Sequence, residues 1–192
     1  MRLFVAVDMD AHTREALSGA QRRLRDRASG GSVIRWVRPE QLHLTLVFLG
    51  EIPESLANAV IGRYAEPVGL SPFTVSFRGA GAFPSRGAPR ALWIGLGEGE
   101  RQLLVLQQVM ADRARSVGIQ LEARAFSPHL TVGRWKESRP SDRRLVGEVT
   151  ADETIARTRV ERATLYHSRL GASSTGGPTY TPLAHATLTA SR

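Results

Sequence analysis

His43 and Thr45 in "QLHLTLVFLG" (41–50) and His129 and Thr131 in "SPHLTVGR" (127–134) are one small pattern written twice. In an extended chain residues i and i+2 share a face, so each histidine stands beside its threonine while Leu44, Leu46, Leu130 and Val132 point the other way. Two imidazoles opposed across a cleft, each near its ordinary pKa of about 6.5, make an acid and base pair at neutral pH. The two threonine hydroxyls can donate hydrogen bonds to an oxyanion. Arg134, five residues beyond His129, adds a planar fork that suits bidentate binding of phosphate. One base, one acid and fixed donors, with no covalent intermediate, are what in-line opening of a phosphodiester requires. Clustered carboxylates accompany neither histidine, so no ligand set for a catalytic metal is evident, and neither metal nor cofactor is expected.

A single His-x-Thr is a weak signal, because a histidine in a strand is more often simply packed or solvated. His185-Ala186-Thr187 has the same spacing. What separates His43 and His129 from it is their place in the order of elements that must carry them. Strand-like "RLFVAVD" (2–8), an amphipathic helical stretch (11–28) stopped by Gly30 and Gly31, strands "VIRWV" and "LHLTLVFLG", a helix opening at Pro53 and a strand "FTVSFRG" make up residues 1–85. From residue 88 to 170 the order returns: "RALWIGL", an amphipathic helix ended by glycine, "HLTVGRW", a short proline-started helix in "PSDRRLVGEVTA" and a long strand "RTRVERATLYHSRL". The leading strands begin at Arg2 and Arg90, and the histidines stand at 43 and 129, in equivalent places. A turn rich in Gly, Ser and Thr (171–179) then leads to a last strand, "YTPLAHATLTA". His185 follows both copies. His12 is expected to cap a helix start or face solvent, and His167 lies in a strand with no threonine two residues on. Trp36, Phe48, Trp93 and Trp135 are read as core or cleft-lining.

Two copies of such a unit imply an α+β fold of two lobes related by an approximate twofold axis, each an antiparallel sheet with its helices outside and a cleft between. The 192 residues form a single bilobal domain on this reading, and 42% hydrophobic residues suffice for a core. The absence of cysteine removes disulfides and thiolate metal sites and suits a reducing compartment. The N-terminal segment turns acidic after seven residues, too soon for the apolar region of a signal peptide, and no stretch approaches the roughly 20 apolar residues of a membrane span. A cytoplasmic protein without membrane contact is expected, as a monomer. The net charge of +8 admits a polyanionic partner, but of the 26 basic residues only Lys136 is lysine, a bias that the base composition of a genome can also impose.

"HLTLVFLGE" and "SPHLTVGR", with "RLFVAVD" at the start and "GGPTYTPL" near the end, resemble the two-histidine phosphoesterase superfamily, and within it the RNA 2′,3′-cyclic phosphodiesterases, long called the 2′-5′ RNA ligase family. The resemblance spans nearly the whole chain. It implies a bilobal fold, no metal, and hydrolysis of a 2′,3′-cyclic phosphate at an RNA end to a 2′-phosphate. Carried onto this chain, it makes His43 the proton donor to the leaving 3′ oxygen and His129 the base that activates water. Thr45, Thr131 and Arg134 would hold the phosphate, and the partner would be RNA bearing the cyclic end. Val47, on the face of His43 and Thr45 by alternation, is apolar where some family members carry a basic residue. Two other readings compete: turnover of another small cyclic phosphate, such as one derived from ADP-ribose, and a non-enzymatic module that binds RNA ends. Two intact histidines in equivalent places weigh against pure binding, which permanently charged Arg or Lys would serve better.

Overall fold

The computed structural model describes residues 1–28, 33–123, 125–149, 153–171 and 177–190. Strand β1 (Arg2–Asp8) is followed by helix α1 (Ala11–Arg27), β2 (Val33–Trp36), a 3-10 turn (Pro39–Gln41) and β3 (His43–Glu51). Helix α2 (Glu54–Ala65), the two-residue β4 (Val68–Gly69), β5 (Phe73–Phe83) and β6 (Ala91–Leu96) come next. Helix α3 (Glu100–Ser116), β7 (Leu130–Glu137), a 3-10 segment (Pro140–Glu148), β8 (Thr154–Val160), β9 (Arg162–Arg169) and β10 (Thr179–Thr189) complete the described chain. Gly30 and Gly31, expected to stop α1, residues 150–151 of the short helix expected after β7, and most of the Gly/Ser/Thr turn (172–176) lie outside the described residues. Within the described part, Pro140–Glu148 winds as 3-10 rather than α-helix.

The strands form two five-stranded sheets, ordered β3-β1-β9-β10-β4 and β2-β7-β6-β5-β8. Every pairing is antiparallel except that of β4 with β10, which is parallel at the sheet edge. The inner order β3-β1-β9-β10 of the first sheet parallels β7-β6-β5-β8 of the second, with β3 and β7, the strands of the two His-Leu-Thr patterns, in corresponding places. The two sequence halves do not, however, supply one sheet each. β2 and β5 of the first half lie in the second sheet, and β9 of the second half lies in the first. The stretch expected as one long strand therefore breaks at Glu161. Burial shows why: Ala156, Thr158 and Val160 alternate inward, but the next buried residue is Ala163, three positions on, so period two fails there and the chain changes sheet.

Helix packing crosses over as well. α1 presents Leu17, Ala20 and Leu24, all without solvent exposure, at helical spacing, and packs on β8 of the second sheet. Its start is pinned there: Asp10 caps the helix by accepting from the Thr13 amide (2.7 Å) and from the Thr158 hydroxyl (2.9 Å), and Thr13 donates to the Arg157 carbonyl (2.8 Å). α2 and α3 cover the first sheet. They are joined where the buried Tyr64 hydroxyl donates to the Met110 carbonyl (2.6 Å), and Gly118, at φ +83°, ends the turn after α3 in a left-handed conformation that glycine adopts without steric cost. Fully buried side chains such as Leu44, Leu92, Leu103 and Leu130 each contribute roughly 1.5–3 kcal/mol. Among the described residues no helix is long and apolar enough to cross a membrane.

Candidate active site

The first sheet carries His43 at the start of β3 and Thr45 two residues on, both partly buried. Asp8 of β1 stands directly opposite His43, and Ala6 opposite Thr45. The register then slips, so that Val47 pairs with Val5 and Phe48 with Phe4, leaving Leu46 as the extra residue of a β-bulge. The bulge corrects the expectation for Val47. It turns inward at 5% exposure, and Phe48, 65% exposed, takes the position on the face of His43 and Thr45. The Phe4 ring lies 5.0 Å from the His43 ring and 6.3 Å from Phe48, while Tyr180 of β10 meets His43 edge-on at 5.4 Å.

The second sheet repeats this design with other side chains. His129 sits one residue before β7, Thr131 is opposite Trp93 of β6, and a second bulge at Val132 places Arg134 opposite Ala91. The spare carbonyl of that bulge accepts from the Val37 amide (3.0 Å) and from the buried Gln21 side chain of α1 (2.8 Å), which also donates to the Val37 carbonyl (2.7 Å). Phe83 meets the His129 ring edge-on at 4.9 Å, and Trp93 lies 6.1 Å away. Trp93 lies across Gly81, where an added Cβ would come within 2.1 Å of its ring, so any other residue at 81 would displace that wall. Trp135 is buried, and Trp36 lies under the Arg25 guanidinium at 5.5 Å.

β3 and β7 come into contact, and the Arg134 guanidinium lies near enough to His43 to act on its charge. Each imidazole is oriented in the same way. His43 Nδ1 lies 2.7 Å from the Gln41 carbonyl, and His129 Nδ1 lies 2.7 Å from the Ser127 carbonyl. A carbonyl only accepts, so Nδ1 carries the hydrogen in both rings and each Nε2 is left as the group able to take or give a proton. Desolvation pushes the His43 pKa below its ordinary value; the Gln41 carbonyl and the Asp8 carboxylate oppose this, and Arg134 reinforces it.

Sequence reasoning missed the groups that surround His43. Asp8 accepts from the Tyr166 hydroxyl (2.5 Å) and from Thr164 Oγ1 (2.7 Å), with Arg162 Nε 3.9 Å away. Thr164 has one proton and gives it to Asp8, so its 3.0 Å contact with His185 has His185 Nδ1 as donor. A cavity of about 600 Å³ opens beside His43, lined by Asp8, Tyr166, Tyr180, Arg38, Arg162 and His185. His185, set apart by its place in the sequence, thus comes to the same side of the cleft as His43. The only sequence signal for Asp8 is a carboxylate closing an apolar strand. His12 is exposed in the first turn of α1, and the capping there is done by Asp10. Among the described residues no three His, Asp or Glu side chains gather in a group able to hold a metal ion.

Comparison with known proteins agrees with this geometry. The sequence model of the LigT like phosphoesterase family matches residues 7–93 and 94–175, one match for each half of the duplication. The RNA 2′,3′-cyclic phosphodiesterase of Archaeoglobus fulgidus is 42% identical over 73% of this chain and 76% of its own length. That of Methanothermobacter thermautotrophicus is 34% identical over 95% of this chain and 96% of its own. A crystal structure of a Thermus thermophilus protein superposes with a TM-score of 0.77 at 30% identity, covering 100% of both chains. With two matched halves, a shared two-sheet fold and relatives above 30% identity along most of its length, the chain belongs to the LigT-like phosphoesterase family.

Proposed function

We propose that this protein hydrolyses the 2′,3′-cyclic phosphate at the end of an RNA to a 2′-phosphate, by acid–base catalysis between His43 and His129 without a metal. The observation that carries the reading is the matched pair of Nδ1 contacts to carbonyls two residues upstream, which leaves both Nε2 atoms for proton transfer. His129 takes a proton from water as the water attacks phosphorus, and His43 gives its proton to O3′ as the P–O3′ bond breaks. Thr45, Thr131 and Arg134 hold the non-bridging oxygens as charge builds on them. Desolvation in the free enzyme favours neutral His43. The anionic substrate reverses this, since a phosphate placed beside an imidazole favours its charged form. The names of the relatives from Archaeoglobus and Methanothermobacter support RNA as the substrate.

The test is incubation of the purified protein, in excess chelator, with a short RNA ending in a 2′,3′-cyclic phosphate, and identification of the product. Conversion to a 2′-phosphate is expected. A 3′-phosphate, loss of turnover in chelator restored by zinc or manganese, or binding without turnover would each overturn the reading.

A further inference from the structure

Arg35 and Arg134 are direct partners across β2 and β7, so their side chains leave the same face of the second sheet. Both residues are exposed on that face, where two guanidinium forks side by side suit binding of phosphate groups. Arg35 does not stand out into solvent alone. A Cβ added at Gly177 would lie 2.9 Å from its Nη2, so the guanidinium reaches the segment that leads into β10. The neighbouring Pro178 carbonyl accepts from Gln41 (2.5 Å), and Gln41 Oε1 in turn accepts from Arg38 Nε (3.2 Å). Arg134, Arg35, Arg2 and Arg38 all act on the phenol of Tyr180, the ring that meets His43 edge-on. Arg134, Arg35 and Arg38 thus gather around Tyr180, and Arg38, whose Nε is also 3.6 Å from Glu40, stands at the edge of the cavity beside His43.

We propose that Arg35, with Arg38 beside it, forms a second phosphate site that takes the internucleotide phosphate one step 5′ of the cyclic end, so that the protein reads the end of an RNA chain in preference to a free nucleoside cyclic phosphate. The proposal rests on the cyclic phosphodiesterase reading and extends it from the reacting group to the chain that carries it. Two forks on adjacent strands, roughly 5 Å apart at Cα, can hold two anionic groups of one flexible strand at once. Arg134 takes the reacting phosphate and Arg35 the next.

The experiment compares kcat/KM for adenosine 2′,3′-cyclic phosphate with that for the dinucleotide ApA ending in the same 2′,3′-cyclic phosphate, at several salt concentrations. The wild type should favour the dinucleotide by about 10-fold, the worth of a charged hydrogen bond. Its rate should fall more steeply with salt, by about 0.7 in log–log slope for one further phosphate contact. Arg35→Ala should cost far more on the dinucleotide than on the mononucleotide and shrink both differences. Arg38→Ala, on a loop, serves the same purpose if β2 does not tolerate the first change. Equal kcat/KM for the two substrates in the wild type, or a ratio unchanged in both variants, would overturn the second site while leaving the catalytic reading intact. Failure to turn over either substrate would overturn the catalytic reading itself and this proposal with it.

Discussion

The two His-Thr strands share a backbone and differ in what covers it. In both, Nδ1 is tied to the carbonyl two residues upstream, and in both a bulge follows the threonine. The neighbours are then inverted. In the first sheet small Ala6 faces Thr45 and bulky Phe4 faces Phe48, whereas in the second bulky Trp93 faces Thr131 and small Ala91 faces Arg134. Five residues after the histidine, one lobe therefore presents an aromatic ring and the other a guanidinium. His43 also has a carboxylate partner, Asp8, directly across its ladder. Both histidines lie against aromatic rings, Phe4 and Tyr180 beside His43 and Phe83 and Trp93 beside His129, so the difference falls on the residue five positions on, Phe48 in one strand and Arg134 in the other.

The largest test of this comparison removes each histidine in turn. His43→Ala and His129→Ala should each lower kcat on a cyclic-phosphate RNA by about 10²–10⁴-fold, with unchanged melting behaviour in a thermal scan. Retention of more than about half the wild-type rate by either variant would refute two-histidine catalysis. A substrate with sulfur in place of O3′ then tells the lobes apart. A thiolate leaves without protonation, so the defect of the acid variant should shrink on this substrate and that of the base variant should not. Rescue of His129→Ala in place of His43→Ala would exchange the two roles.

A smaller effect is expected at the residue that most distinguishes the lobes. Arg134→Lys keeps the charge and loses the planar fork, and an ammonium cannot reproduce two parallel hydrogen bonds. A fall of about 10-fold or more in kcat/KM is expected, the worth of one charged hydrogen bond. Unchanged kcat and KM would show that Arg134 supports β7 and leaves the substrate alone.

The placing of His43, Thr45, Thr131 and Arg134 on strands, and of His129 one residue before β7, was legible because the residues themselves define those strands. Leucines and valines at alternate positions announce the strand, and the polar residues between them announce the open face. Val47 was misread because strict alternation carried past Thr45, and the bulge at Leu46 that reverses it arises from register with β1, a partner 39 or more residues away in the chain. The exchange of β5 and β9 between sheets was hidden for the same reason. Each strand has a pattern of its own, but which sheet it joins depends on long-range pairing that local periodicity does not encode. Only the three-residue gap between buried Val160 and Ala163 betrays the crossover, and it resembles an ordinary irregularity within one strand. Asp8 and His185 come to the cavity beside His43 through cross-strand neighbours, Asp8 across from His43 and His185 across from Thr164. No linear spacing reports these.

The smallest effect is expected at Asp8, the anion across from His43, and pH reaches it. Burial lowers the proton affinity of His43, Asp8 restores part of it, and Arg134 lowers it further. Asp8→Asn removes a charge that favours the imidazolium, so the His43 pKa must fall further from its ordinary value. The limbs of kcat/KM against pH belong to the coupled pair of histidines, and the limb that follows His43 should move towards lower pH in the variant. The height of the profile carries the assignment of roles. If His43 must be protonated to act, a lower pKa leaves fewer enzyme molecules in the productive state near neutrality, and the maximum falls together with the displaced limb. If His43 were the base, the same displacement would fill the productive state, and activity on the acid side would rise. Asparagine keeps one oxygen able to accept from Tyr166 or Thr164, so a thermal scan should show a folded variant. A profile unchanged in position and height would show that Asp8 fastens β9 to β1 and does not set the protonation of His43.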